Sequence, residues 1–228
     1  MKISIITLFP QMFSGPFDFS IVERAKKAGL IEINFVDLRN FGIGKHKTVD
    51  DRAYGGGRGM VLRVDVLEKA VESTLERGLS EKEQRVIFLG PRGVSFNQAK
   101  AFELSKLKHM ILICGHYEGI DERAHSFIDE EISVGDFIIT GGEIPAMLVT
   151  DAVARLIKGV LPEGVVEEES FSKELLEYPQ YTRPDIHKNL KVPETLISGH
   201  HQKISDWKKE KSEEATKRLR PDLTRKVS

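Results

Sequence analysis

Two glycine-bearing segments hold the residues best placed to do chemistry. They are ICGHYEGIDER at 113–123 and SVGDFIITGGEIP at 133–145. A strand that ends in glycine leaves no Cβ between its backbone and an approaching ligand. Two such loops in one α/β domain predict a small-molecule site at the carboxyl ends of adjacent strands. Cys114 stands at a strand end, where a lone thiol reads as core filling rather than as a nucleophile. His116 is a base by residue type. Asp151 and Arg155 are spaced for a pair on one helical face.

The elements that must position these loops follow from periodicity. Apolar runs at 3–9, 31–36, 86–89, 110–114 and 137–140 read as strands. Helical spacing appears at 21–28 before Gly29, at 66–77 with Gly78 as its C′ residue, and from Ser95 toward Lys108 through a Ser95/Gln98 capping box. A further helix begins near Pro145 and runs to Lys158, followed by Gly159. Strands alternating with helices predict an α/β domain, with a mostly parallel sheet and helices on both faces. The pattern lapses at LPEGVVEEES. The expected organisation is an α/β domain over 1–161, a flexible linker over 162–172 and a small helical domain over 173–228. Ser205 is expected to cap a helix through Lys217, and Pro221 to bar its continuation.

Composition bounds the function. The chain has 228 residues, enough for one large domain or two modest ones, with 40% hydrophobic and 30% charged residues. No apolar run approaches the roughly 18 residues of a membrane span. The opening MKISIITLFP ends too abruptly for a secretory signal and reads as a buried first strand. A single cysteine excludes an internal disulfide and suits a reducing cytoplasm. Net charge is −1, yet residues 171–228 carry 13 Lys and Arg against 9 Asp and Glu. A basic C-terminal part suits either a nucleic-acid grip or a solvated helical face. The glycine-rich stretch at 40–63 contains no Walker sequence, and no GxGxxG occurs, so an ordinary dinucleotide loop is not expected. No zinc-ligand spacing is present.

Eight segments in order carry a resemblance: DDRAYGGGRGM (50–60), LGPRG (89–93), CGHYEGIDER (114–123), SVGDFIITGGEIPAM (133–147), DAVARLIKGVL (151–161), ESF (169–171), YTRP (181–184) and SGHH (198–201). Together they resemble the bacterial tRNA (guanine-N1)-methyltransferases of the SPOUT class. The resemblance implies a deep trefoil knot in the α/β domain and a homodimer whose active sites use both subunits. It implies methyl transfer from S-adenosylmethionine to N1 of the guanine immediately 3′ of the anticodon, position 37 of tRNA. By position it assigns the cofactor pocket to Leu89, Pro91, Gly115, Tyr117, Glu118, Val134, Gly135, Asp136, Phe137, Ile138, Ile139, Gly141, Gly142 and Pro145. Glu118 and Asp136 are its charged candidates for the cofactor's amino group and sulfonium, although either alone reads as a surface carboxylate.

The same resemblance assigns Glu169 as general base and Arg155 as the cation that stabilises charge on O6. It departs at the base, because the family most often has Asp before Ser-Phe. Glu is one methylene longer, and Glu167 and Glu168 stand beside it. Arg183, His200 and His201 are implied to contact the anticodon stem-loop. Tyr181 and Trp207 read as stacking or packing rings, with packing favoured for Trp207. Magnesium use in the family finds no ligand cluster in this sequence.

Overall fold

The computed structural model describes residues 1–172 and 174–224, with the side chains of Glu167 and Glu168 left outside that description. Lys173 and residues 225–228 of the expected C-terminal domain, and the competition of Glu167 and Glu168 for the base role, therefore lie outside the described residues. The chain divides into two compact units, Met1–Pro162 and a second that begins at Glu163.

The first unit contains β1 (Lys2–Thr7), α1 (Ser20–Lys27), β2 (Glu32–Asp37), β3 (Asp50–Asp51), β4 (Val61–Leu62), α2 (Val64–Thr74), β5 (Gln84–Ser95), α3 (Gln98–Leu104), β6 (His109–Cys114), β7 (Glu130–Ser133) and α4 (Glu143–Ala154). Five strands form one sheet in the order β2-β1-β6-β5-β7, with every pairing parallel. β3 and β4 make a separate antiparallel pair.

Alternation within the strands sends side chains into two cores. Ile3, Ile5, Ile87, Met110 and Leu112 face α1, α3 and α4. Ile6, Val86, Phe88, Ile111 and Ile113 face α2 and a 3-10 helix at Glu122–Phe127. Helices thus cover both faces, which is why β6 is buried along its whole length. Each fully buried Leu or Ile contributes about 1.5–3 kcal/mol.

Several expected boundaries move. The strand expected at 137–140 does not form; the edge strand is Glu130–Ser133, and the later apolar run is an exposed loop, with Ile138 at 85% exposure. That run is apolar without being buried, so its hydrophobicity does not report a strand. α2 stops at Thr74 because Leu75 turns to extended backbone, and Gly78 is not its C′ residue. The cap of α3 is Asn97, whose side chain accepts from the Lys100 amide at 2.9 Å, while Ser95 ends β5. α4 ends at Ala154, with Arg155 as its C-terminal cap.

The second unit contains a one-turn α5 (Val165–Glu168) in the segment expected as linker, a hairpin of β8 (Ile186–His187) and β9 (Leu190–Lys191), α6 (Glu194–Ile197) and α7 (His201–Leu219). Lys188 and Asn189 both have positive φ, as the two-residue hairpin turn requires. α7 begins four residues before Ser205, with His200 as its N-cap, and Pro221 follows its end. Trp207 packs between Tyr178 and Tyr181, at ring separations of 6.4 and 6.3 Å. Leu176 donates its amide to Thr216 Oγ1 at 2.8 Å, tying the preceding chain to α7.

Candidate functional site

The carboxyl ends of β6, β5 and β7 are neighbours in the sheet. The chain leaves β6, crosses β5 to form β7 at the edge, and then returns. Its return is close: Gly142 donates its amide to the Gly115 carbonyl at 2.8 Å, and His116 bridges to Gly141. A Cβ on Gly142 would lie 2.6 Å from Cys114 Cα and 2.7 Å from Gly115 N. Only glycine permits this approach of loop to strand end.

β5 contributes by bending. Between Leu89 and Val94 its register against β7 slips, so both residues pair with Ile132. The bulge holds Gly90 and Pro91, and a bulge is where a strand tolerates proline. These three strand ends enclose a cavity of about 290 Å³.

Thirteen of the fourteen residues expected at a pocket line this one cavity. From β5 come Leu89 and Pro91; from the first loop Gly115, Tyr117 and Glu118; from the second Val134, Gly135, Phe137, Ile138 and Ile139; and from the return Gly141, Gly142 and Pro145. Asp136 is the exception: it is exposed and outside the lining. Phe88, His116, Ser133 and Thr140 also line it; they fall within the loops 88–93, 114–119 and 133–142 that the resemblance implies for the pocket, without being singled out as contacts. Phe88 and Ser133 adjoin expected residues, and strand alternation alone points Phe88 away from Leu89. In the structure both line the wall.

Two buried groups lie next to the lining without being part of it. Glu143, 2% exposed at the start of α4, accepts a hydrogen bond from Thr7 Oγ1 at 2.7 Å. Cys114 is fully enclosed; burial, and secondarily the Glu143 carboxylate, push its thiol well above the usual range. Asp121 grips Arg123 through a two-pronged contact at 2.9 and 2.7 Å, and that hydrogen bonding holds its carboxyl below the usual range. The DER sequence thus clasps the loop after the cavity.

The other expected residues lie apart from this cavity in the chain. Arg155 is half-buried at the end of α4. Glu169 belongs to the second unit, where it is half-buried and caps α5, its amide donating to the Val166 carbonyl at 3.4 Å. Arg183, His200 and His201 are exposed in the second unit. Among the described residues, no group of three or more His, Cys, Asp or Glu is placed to hold a metal ion. No helix among them is long and apolar enough to cross a membrane.

A glycine-walled cavity at the carboxyl ends of adjacent parallel strands is the place where α/β proteins as a class hold small molecules. Residues 1–226 match the family model described as tRNA (Guanine-1)-methyltransferase TrmD. A protein of Pelotomaculum thermopropionicum, named tRNA (guanine-N(1)-)-methyltransferase, is 50% identical over 229 residues, covering 100% of this chain and 91% of its own. Proteins of the same name from Desulforudis audaxviator and Clostridium beijerinckii are each 52% identical, covering 98% and 100% of this chain and 89% and 94% of theirs. The chain belongs to the tRNA (guanine-1)-methyltransferase family.

Proposed function

We propose that this protein transfers a methyl group from S-adenosylmethionine to N1 of the guanine immediately 3′ of the anticodon. One observation carries the reading: thirteen of the fourteen residues that family resemblance assigns to the methyl donor converge on a single cavity. The cavity suits such a ligand. Its walls are apolar around Leu89, Ile138, Ile139 and Pro145, and bare backbone at Gly115, Gly141 and Gly142 can meet a base edge. Glu118 lines the cavity and is the carboxylate offered to the donor's cationic portion; the exposed Asp136 is the weaker candidate. Bound there, S-adenosylmethionine supplies an electrophilic methyl group. The chain's return at Gly142 supports the trefoil crossing that the resemblance implies.

Guanine N1 carries a proton at neutral pH, so its lone pair becomes nucleophilic only as that proton leaves. Glu169 is the general base that takes it. Charge then develops toward O6, where the Arg155 guanidinium stabilises it. Arg155 shares a face of α4 with Ile144, Leu148 and Asp151, at helical spacing. Ile144 and Leu148 are exposed at 54% and 46%. An exposed apolar stripe leading to a catalytic arginine supports the homodimer with composite active sites. Arg183, His200 and His201, exposed in the second unit, are the grip on the anticodon arm in the cytoplasm.

The test is methyl transfer to an unmodified tRNA transcript with guanines spanning the anticodon's 3′ end, mapped by reverse-transcription stops. A donor-dependent stop at the guanine just 3′ of the anticodon is expected. Donor binding without that stop would reject the assigned target.

A further inference from the structure

The bulge of β5 that walls the cavity folds over one side chain of the edge strand. Leu89 and Val94 both pair with Ile132, so residues 90–93 leave the sheet and return to it. Leu89, Gly90 and Pro91 line the cavity. Glu131, the residue before Ile132 on β7, lies against both glycines of the bulge. A Cβ on Gly90 would stand 2.4 Å from Glu131 Oε1, and one on Gly93 would stand 2.3 Å from the Glu131 carbonyl carbon. The Arg92 amide donates to Glu131 Oε1 at 3.1 Å. The other carboxylate oxygen meets Nε2 of His125, in the 3-10 helix at Glu122–Phe127, at 3.2 Å. Glu131 thus joins three segments of the chain, and it is not itself part of the cavity lining. Strand alternation sends its neighbour Glu130 to the opposite face, where it pairs with Arg85 at 3.3 Å and Lys100 at 2.7 Å.

The bulge has a second side-chain tie, from Arg92 to Glu122 at 2.9 Å, but those side chains are 62% and 75% exposed. An ion pair so exposed is screened by water and holds geometry weakly. The Glu131 side chain is 12% exposed, and a hydrogen bond in that shelter is the stronger constraint. We propose that Glu131 is a positioning residue for the methyl donor. It touches no donor atom; it holds residues 90–92 in the curled form that closes the cavity wall. A wall ordered before binding spares the donor the cost of ordering it. This inference rests on the reading of the cavity as the S-adenosylmethionine site.

Full-length variants test it. E131L keeps the bulk and removes both oxygens. E131Q keeps an oxygen for the Arg92 amide. E130L removes the neighbouring carboxylate, which the bulge does not use, and so reports the general cost of weakening β7. Affinity for S-adenosylmethionine is measured by calorimetry, and kcat and both KM values by initial rates. E131L is expected to weaken donor binding about tenfold, the size of one lost hydrogen bond. E131Q and E130L should each stay within about threefold of the parent. The loss in E131L should fall on the donor KM, not on kcat or the KM for tRNA. Donor affinity in E131L equal to the parent's would overturn the proposal. So would E131Q or E130L binding as weakly as E131L, or a loss confined to kcat. Should E131L fail to fold, E131S, whose hydroxyl is too short to reach the Arg92 amide, makes the same comparison. A parent protein that binds no S-adenosylmethionine would instead reject the cavity reading itself.

Discussion

Cys114 and His109 show how burial at one position decides chemistry. Cys114 is enclosed beside Glu143, and its thiol stays protonated far above neutral pH. The thiolate is the reactive form. The native protein should therefore resist iodoacetamide at pH 8, and the unfolded chain should alkylate at once; rapid labelling of the native state, followed by mass spectrometry, would contradict this. His109 is fully buried, with Nε2 2.9 Å from Ser4 Oγ and Nδ1 2.8 Å from Gln84 Oε1. Burial, and then the charge of Lys2, lower its proton affinity. As pH falls through about 6.5, the unfolded chain takes up a proton there that the folded protein refuses, so stability falls. The loss reaches at most about 1.4 kcal/mol per pH unit. The urea midpoint should drop between pH 7.5 and 5.5, and H109Q should show a smaller drop. At the proposed catalytic residues, R155A should lower kcat about 10²–10³-fold with donor affinity intact. E169Q should lose turnover while E169D keeps a substantial part of it. Unchanged turnover in E169Q would remove Glu169 as base.

At the scale of elements, the loop 134–142 and the helix it leads into set the site. Gly142 lies against the end of β6 more closely than any Cβ allows. G142A must push loop and strand apart, and its expected result is a loss of donor affinity of tenfold or more, read by calorimetry, with a lowered melting temperature. The α4 stripe makes a separate prediction. L148D puts a charge into an exposed apolar row and should convert a dimer to monomers in sedimentation velocity, with methyl transfer lost because each proposed site needs both subunits. A monomeric parent protein would contradict it. The strand expected at 137–140 teaches the limit of local reading. Phe137, Ile138 and Ile139 have strand composition, yet they form an exposed loop that lines the cavity instead of joining a core. The true edge strand, EEIS, is too polar to stand out by composition.

At the scale of the whole molecule, the chain forms two compact units. The first carries the cavity and its own two cores. A chain ending at Pro162 is expected to fold and to bind S-adenosylmethionine with little loss, while losing tRNA methylation. The sequence alone determined the alternation of strand and helix, the two-faced burial of the sheet, and the glycine loops of the pocket. Each is a local record, because side-chain period and backbone freedom are properties of neighbouring residues. Family resemblance added Arg155 and Glu169, whose types alone mark nothing. Only the tertiary structure decided that β7 takes the sheet edge, that Asp136 faces outward while Ile138 faces the cavity, and that His116 Nδ1 is buried without a partner. Those outcomes depend on which distant segments approach one another, and the chain's return at Gly142, between backbones far apart in sequence, leaves no periodic trace to read.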